Sequence, residues 1–119
     1  MTEANKIIAR RFFEQLYANG ELELVDEIVA PNYVAHGPGS EPNALESNSA
    51  HANGREAVIA SLKAKPADIA VVVAQQIAEG DTVVSRLGFS SNGKQWTAVA
   101  IQRIQDGKLV ETWRIANRA

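Results

Sequence analysis

The segment that decides the fold is IQRIQDGKLVETWRIAN, residues 101–117. Two runs rich in β-branched and aromatic residues flank Asp106-Gly107, a strong signal for a two-residue hairpin turn because both turn positions need positive φ. Successive side chains of a strand point to opposite faces. Alternate residues of the second run therefore share one face: Glu111, Trp113, Ile115 and Asn117. The segment predicts an antiparallel hairpin at the end of the chain.

The same pattern extends towards the N-terminus. Apolar, β-branched runs occupy residues 67–78, 82–90 and 94–104, and the turn signals EGD and SNG separate them. Together with 109–117 they predict four antiparallel strands in meander order. Tyr33-Val34 predicts a fifth strand.

The first half of the chain predicts helices. Apolar residues recur at helical spacing over residues 3–19, 21–29 and 54–65, with Pro31 ending the second helix. Residues 37–53 have no period and are crowded with Gly, Pro, Ser and Asn. Such a long connection usually covers a site or is mobile, so it is a candidate lid. Three helices and an antiparallel sheet predict one α+β domain over residues 1–119, with a hollow between a curved sheet and the helices.

Composition narrows the function classes. The chain has 119 residues, 45% of them hydrophobic and 22% charged, with a formal net charge of −2. The charge predicts no nucleic-acid partner, because such a partner requires a basic surface. No disulfide or thiolate chemistry is possible without cysteine. No signal-peptide run and no membrane-length apolar stretch occurs, so we expect a cytoplasmic protein without a membrane partner.

Four segments carry a resemblance to a known family. They are RRFFEQLYANGELELVDEIVAPNYVAHGPG (10–39), GREAVIASL (54–62), IAEGDTVVSRL (77–87) and residues 101–117. EGDTVV and DGKLVETW are the most specific parts. The chain resembles the SnoaL-like polyketide cyclases of the nuclear-transport-factor-two-like superfamily, which also contains steroid Δ-isomerases and limonene epoxide hydrolases. The resemblance implies a cone-shaped α+β barrel, with three N-terminal helices packed on a curved, mainly antiparallel sheet. It also implies a deep apolar pocket and a homodimer through the sheet.

The resemblance implies two catalytic positions. The family's histidine falls on His36, although the usual His-Asp-Pro triplet is HGP here. A neutral imidazole can accept a proton near pH 7 and return it to a carbonyl substrate. The alternative is a histidine that bonds to the backbone at a strand-to-loop junction. The cyclases' catalytic aspartate falls on Asn117, whose amide cannot take a proton but can hydrogen-bond a substrate oxygen.

The residues of this chain do not complete the catalytic sets of the steroid Δ-isomerases or of the limonene epoxide hydrolases. The segment GSEP (39–42) resembles the loop after the isomerase base, which places His36 at the base position. The isomerase tyrosine then falls near Phe12 and its carboxylic-acid partner near Ala100, so no oxyanion hole is evident. The hydrolases require an Asp-Arg-Asp set, and Arg103 has no strand aspartate beside it.

Seven residues complete the predicted site as substrate-binding groups: Phe12, Tyr33, Trp96, Ala100, Gln102, Glu111 and Trp113. Glu111 is the first acid expected to partner His36. We predict no cofactor and no metal, because His36 and His51 have no third ligand at a suitable spacing.

Two functions follow from these observations. One is an enzyme of the cyclase or isomerase type, in which His36 moves a proton on a small hydrophobic carbonyl compound. The other is a non-catalytic homodimer that binds a small hydrophobic ligand. A buried His36 beside an acid favours the enzyme, whereas a His36 turned away from the hollow favours the binding protein.

Overall fold

The second half of the chain folds as the predicted meander. The structure is a computed structural model that describes residues 2–36 and 52–117. Four antiparallel strands follow one another: β3 (Ala70–Glu79), β4 (Thr82–Ser91), β5 (Lys94–Gln105) and β6 (Lys108–Asn117). At the last hairpin Asp106 has φ 52° and Gly107 φ 78°, the left-handed conformations that a two-residue turn of this kind requires. The hairpin prediction at Asp106-Gly107 is confirmed.

The N-terminal segment forms a helix whose geometry changes midway. The helix α1 (Thr2–Arg11) continues as a π-helix over Phe12–Ala18. The chain leaves it at Gly20, which has φ 69° and whose N–H donates to the Leu16 carbonyl at 2.9 Å. Gly20 thus ends the helix as glycine commonly does, since it adopts the left-handed conformation without a Cβ clash.

The second predicted helix is shorter than the sequence suggested. A 3₁₀ turn at Leu22–Leu24 leads into α2 (Val25–Ile28), and Val29 already begins strand β1 (Val29–His36). Pro31 lies inside β1 instead of ending a helix. The pairing of β1 with β6 is irregular between Val29 and Val34, which suits a residue without an N–H donor.

Two shorter elements complete the fold. Strand β2 (Ala52–Asn53) leads into helix α3 (Gly54–Ala64). The candidate lid, apart from these two strand residues, lies outside the described residues. In the sheet the strand order is β2-β1-β6-β5-β4-β3, with β1 parallel to β6 and the other pairs antiparallel. The α+β fold, with its mainly antiparallel sheet and the fifth strand at Tyr33-Val34, is confirmed.

The sheet has two unlike faces. We call the face that meets the helices the inner face and the opposite one the outer face. Along β5, Ala98, Ala100, Gln102 and Ile104 point inward and are buried, whereas Val99, Ile101 and Arg103 point outward. The π-helix contributes Phe13 and Leu16 to the core against the inner face. Burial of each such side chain stabilises the fold by roughly 1.5–3 kcal/mol.

Among the helices that the structure describes, none is long and apolar enough to cross a membrane.

Candidate functional site

The predicted site residues fall on both faces of the sheet. The inner group comprises Phe12, Tyr33, Trp96, Ala100 and Gln102. The outer group comprises His36, Glu111 and Trp113. Asn117 pairs with Thr97 at the end of β6, and its side chain lies outside the described residues. The structure therefore brings the predicted residues together in two clusters, and their roles as catalytic or binding groups stay predictions.

The alternation of side chains along β1 explains why His36 lies on the outer face. Tyr33 points inward and packs against the core, so the alternation of β1 turns Val34 and His36 outward. In the parallel pairing Val34 faces Glu111 and His36 faces Trp113, which are both on the outer face. His36 is only 7% exposed although it is on the face away from the helices.

Glu111 joins His36 to Arg103. The His36 Nε2 atom lies 2.9 Å from Glu111 Oε2, while Arg103 donates to the other oxygen, Oε1, from Nη2 at 2.9 Å and from Nε at 3.2 Å. The imidazole stacks on the Trp113 indole with the ring centroids 5.2 Å apart and the planes 8° apart. We call His36, Glu111 and Arg103 the outer charge cluster.

The contact with Glu111 determines which imidazole nitrogen carries the lone pair in a neutral ring. Because an ionised carboxylate only accepts hydrogen bonds, the Nε2 atom carries the proton that it donates to Glu111. In a neutral ring the lone pair is then on Nδ1, which is buried and has no hydrogen-bond partner in the described part of the chain. A histidine oriented by a carboxylate in this manner can act as a general base.

The inner face carries a second polar group, formed by Tyr33, Gln102, Thr112 and Arg114. Gln102 Nε2 donates to Thr112 Oγ1 at 3.4 Å, and both residues are buried. Burial raises the pKa of the Tyr33 phenol to about 12, against smaller lowering effects of its hydrogen bond with Thr112 and of the Arg114 charge. Tyr33 therefore remains a neutral hydroxyl at ordinary pH. We call these four residues the inner polar group.

Arg114 is the functional candidate that the sequence analysis missed. Its guanidinium carbon lies 5.9 Å from the Tyr17 ring centroid and 5.5 Å from the Phe89 ring centroid. Its Nε atom is buried without a hydrogen-bond partner among the described residues. The available signal was the alternation of residues 109–117, which places Arg114 on the face opposite Trp113, and the structure shows that this is the inner face.

Aromatic side chains surround the inner polar group. Tyr17 meets Phe89 edge-on at 5.8 Å, Phe89 stacks on Trp96 at 5.5 Å, and Phe12 lies 6.4 Å from Tyr33. Phe12, Tyr17, Trp96 and Arg114 are all part-exposed although they point inward, whereas Phe89 beside them is buried. These part-exposed side chains border the inner polar group, and we call the region that they share with it the inner hollow.

A shallow groove of about 320 Å³ lies at the far end of the sheet. It runs along the strand ends over Gly88, with Val72 and Thr97 on its sides and Phe89 and Trp96 at its margin. A methyl group at Gly88 would meet no atom within 4 Å, so the groove is open above it.

Comparison with solved structures supports the fold. A Kribbella flavida protein provisionally assigned as a ketosteroid isomerase matches 99% of this chain and 81% of its own, with 18% identity and a TM-score of 0.79. A Jannaschia protein provisionally assigned as a SnoaL-like polyketide cyclase matches 98% of this chain and 88% of its own, with 18% identity and a TM-score of 0.79.

A nuclear-transport-factor-two-like protein of unknown function from Mesorhizobium loti matches 98% of this chain and 93% of its own, with 21% identity and a TM-score of 0.77. At such identities the likeness concerns the fold and not the activity.

Sequence comparison identifies the family of the chain through a domain model. No curated protein matches the chain in sequence. The model of the SnoaL-like domain matches residues 9–112, a range that includes the inner polar group except Arg114 and runs from the first helix into β6. The chain therefore belongs to the SnoaL-like domain family.

Proposed function

We propose that this protein binds a small hydrophobic molecule in the inner hollow. The observation that carries the proposal is the set of inward-pointing aromatic side chains that keep part of their surface accessible, namely Phe12, Tyr17 and Trp96. Ligand sites are typically concave and apolar with a few placed polar groups, and the inner polar group supplies the hydroxyl and amide donors. The names polyketide cyclase and ketosteroid isomerase, given to two similar structures, agree with a carbonyl compound as the ligand.

The test uses a neutral hydrophobic probe, N-phenyl-1-naphthylamine, titrated into the protein with alanine, valine and isoleucine methyl groups observed by NMR. Ala98 and Ala100 report the inner face, and Val99 and Ile101 report the outer face of the same strand. We expect saturable shifts of the two alanine methyl groups. Shifts confined to Val99 and Ile101, or no saturable shift, would refute binding in the hollow.

A second candidate function is proton transfer by His36, favoured by the 2.9 Å contact between His36 Nε2 and Glu111 Oε2. In this proposal a side-chain movement uncovers Nδ1, which is buried in the structure, and Nδ1 then accepts a proton from the α-carbon of a small hydrophobic carbonyl compound. The resulting imidazolium is stabilised by Glu111, and the enolate then regains a proton. The site is the region beside His36 and Trp113 on the outer face, which is separate from the inner hollow.

Deuterium exchange tests this second candidate. The α-protons of 2-tetralone are followed by NMR in deuterated water, with wild-type protein, His36→Gln and the control Arg86→Gln, which removes a cation from elsewhere on the outer face. We expect wild type and the control to accelerate exchange equally and His36→Gln to lose about 10²-fold or more of that acceleration. Equal rates for His36→Gln and wild type would eliminate His36 as the base.

We further propose that the outer face pairs with a second copy of the chain. Val72, Ile77 and Ile115 are exposed large apolar residues on this face. Strands β3 to β6 have 10 to 12 residues each. At ~3.3 Å per residue and ~4.8 Å between strands they cover roughly 600 Å², close to the ~800 Å² that a standard interface buries per partner.

Native mass spectrometry of the wild type and of an Ile77→Lys/Ile115→Lys variant tests this pairing. We expect a dimer mass for the wild type and a monomer mass for the variant. A wild-type monomer, or a dimer that persists in the variant, would refute pairing through the outer face.

A further inference from the structure

Arg114 stands apart from the other arginines of the described chain. Arg10, Arg11, Arg55 and Arg103 each lie within 4.0 Å of a carboxylate oxygen, at distances of 2.6 to 3.5 Å. Arg86 donates to the Gln75 side-chain oxygen at 3.2 Å. Arg114 instead faces two aromatic rings from the inner face, and no described carboxylate lies within ion-pair distance of it.

The position of this cation has an energetic cost. Arg114 is part-exposed, and its Nε atom is buried. That atom has lost its hydration, and contacts of the guanidinium with aromatic faces contribute only about 0.5–2 kcal/mol. A planar guanidinium also has donors that match the two oxygens of a carboxylate. An arginine that has no carboxylate partner among residues 2–36 and 52–117 therefore fits a site where the ligand brings the negative charge.

Neighbouring groups complete a site for an anionic oxygen. Tyr33 keeps its hydroxyl proton at ordinary pH and is close enough to feel the Arg114 charge. The hydroxyl of Thr112 lies on the same face two residues before Arg114, within reach of both Tyr33 and Gln102. Tyr17, Phe89 and Trp96 supply apolar ring surface beside the guanidinium.

We propose that the ligand of the inner hollow is a hydrophobic anion, whose carboxylate or enolate oxygen binds Arg114 and the Tyr33 hydroxyl while its apolar body lies against Tyr17, Phe89 and Trp96. This inference rests on the proposed function and adds the class of ligand. A neutral hydrophobic molecule of the same shape binds more weakly, because it covers the guanidinium without supplying a partner for its donors.

Two probes with one carbon skeleton test the inference. They are 8-anilinonaphthalene-1-sulfonate, whose sulfonate stands in for the ligand's anionic oxygen, and neutral N-phenyl-1-naphthylamine, which lacks only that group. Each is titrated into wild type, Arg114→Gln and Arg86→Gln, with binding followed by fluorescence and placed by the methyl shifts of Ala98 and Ala100. Arg86→Gln is the matched control, because Arg86 lies on the outer face.

We expect Arg114→Gln to weaken the sulfonate probe about tenfold or more and to change the neutral probe less than about twofold, whereas Arg86→Gln changes neither. Equal weakening of the sulfonate probe by both variants would overturn the inference, since only overall charge would then matter. No effect of Arg114→Gln on the sulfonate probe would also overturn it, while the proposed function stands if the alanine methyl groups still shift. If neither probe shifts these methyl groups, the proposed function itself fails.

A measurement on the wild type alone covers the case in which Arg114→Gln does not fold. The Arg114 Nε–H resonance is followed during both titrations. We expect the sulfonate probe to move it downfield by more than the neutral probe does, because only the sulfonate accepts a hydrogen bond from the guanidinium. Equal shifts with the two probes would contradict an ion pair at Arg114.

Discussion

Replacing Glu111 with glutamine tests the energetic role of the outer charge cluster. The carboxylate accepts one hydrogen bond from the nearly buried His36 and two from Arg103, whose side chain is 34% exposed. Hydrogen bonds to charged groups contribute about 1.5–3 kcal/mol when shielded from water, and exposed ion pairs contribute about 0–1 kcal/mol. Because Glu111 is itself 20% exposed, we expect Glu111→Gln to lower the free energy of unfolding by about 2 kcal/mol.

A double-mutant cycle separates the two contacts. Glu111→Gln, His36→Phe and the double variant are unfolded with urea, and phenylalanine keeps the ring that stacks on Trp113. We expect a coupling free energy of about 1–1.5 kcal/mol between positions 36 and 111, since His36 is largely shielded from water.

The control cycle uses Arg10 and Glu14, which lie 2.8 Å apart with side chains 44% and 41% exposed. Their coupling should be only about 0.3–0.5 kcal/mol, as for other exposed pairs four residues apart on a helix. A coupling at 36 and 111 no larger than this control would refute the reasoning that burial strengthens the outer contact.

Three further changes have definite expected outcomes. Burial raises the pKa of Tyr33 to about 12 in the folded state, so the folded protein holds this proton when the unfolded chain has lost it. Urea unfolding should therefore show stability falling between about pH 10 and 12, by on the order of 2–3 kcal/mol, and Tyr33→Phe should flatten that fall; parallel curves for the two proteins would contradict this. Gly107→Ala should lower the free energy of unfolding by about 1 kcal/mol, because Gly107 has φ 78°. Gly88→Ala should leave it unchanged, because a Cβ at Gly88 meets open space. Equal urea midpoints for the two variants would show that the turn tolerates a side chain. Thr112→Val should lower the free energy of unfolding by about 1 kcal/mol, because Gln102 and Tyr33 lose a buried partner. An unchanged midpoint temperature of thermal unfolding would show that the inner polar group does not depend on this hydroxyl.

The strands and their turns could be predicted because they depend on local chemistry. Alternating β-branched residues and the pair Asp106-Gly107 require only neighbouring residues to specify a hairpin. The end of the second helix could not be predicted in this way. Val29 joins β1 because it pairs with Leu109, eighty residues further along the chain, and such a partner leaves no mark in a local window.

The division of the site into two clusters shows a second limit of prediction from the sequence. Tyr33 and His36 are three positions apart, so an extended strand turns them to opposite faces. From the sequence, a strand was predicted at Tyr33-Val34 but was not extended to His36, so both residues were assigned to one predicted site. The contact of His36 with Glu111 was anticipated, since Glu111 was the first acid considered as its partner, and the distance of 2.9 Å agrees with it. Arg114 was overlooked because it resembles a surface arginine until its face is known.

The single parallel junction of the described sheet has a consequence for the order of folding. The meander from β3 to β6 joins strands through short turns, whereas the contact of His36 with Glu111 spans 75 residues. Closing so long a segment costs more chain entropy than forming a hairpin, so we expect the meander to form first and β1 to dock on β6 late. Stabilising contacts made after the transition state act on the unfolding rate. The outer charge cluster should accordingly slow unfolding and so lengthen the lifetime of the native state, while the rate of folding stays almost unchanged.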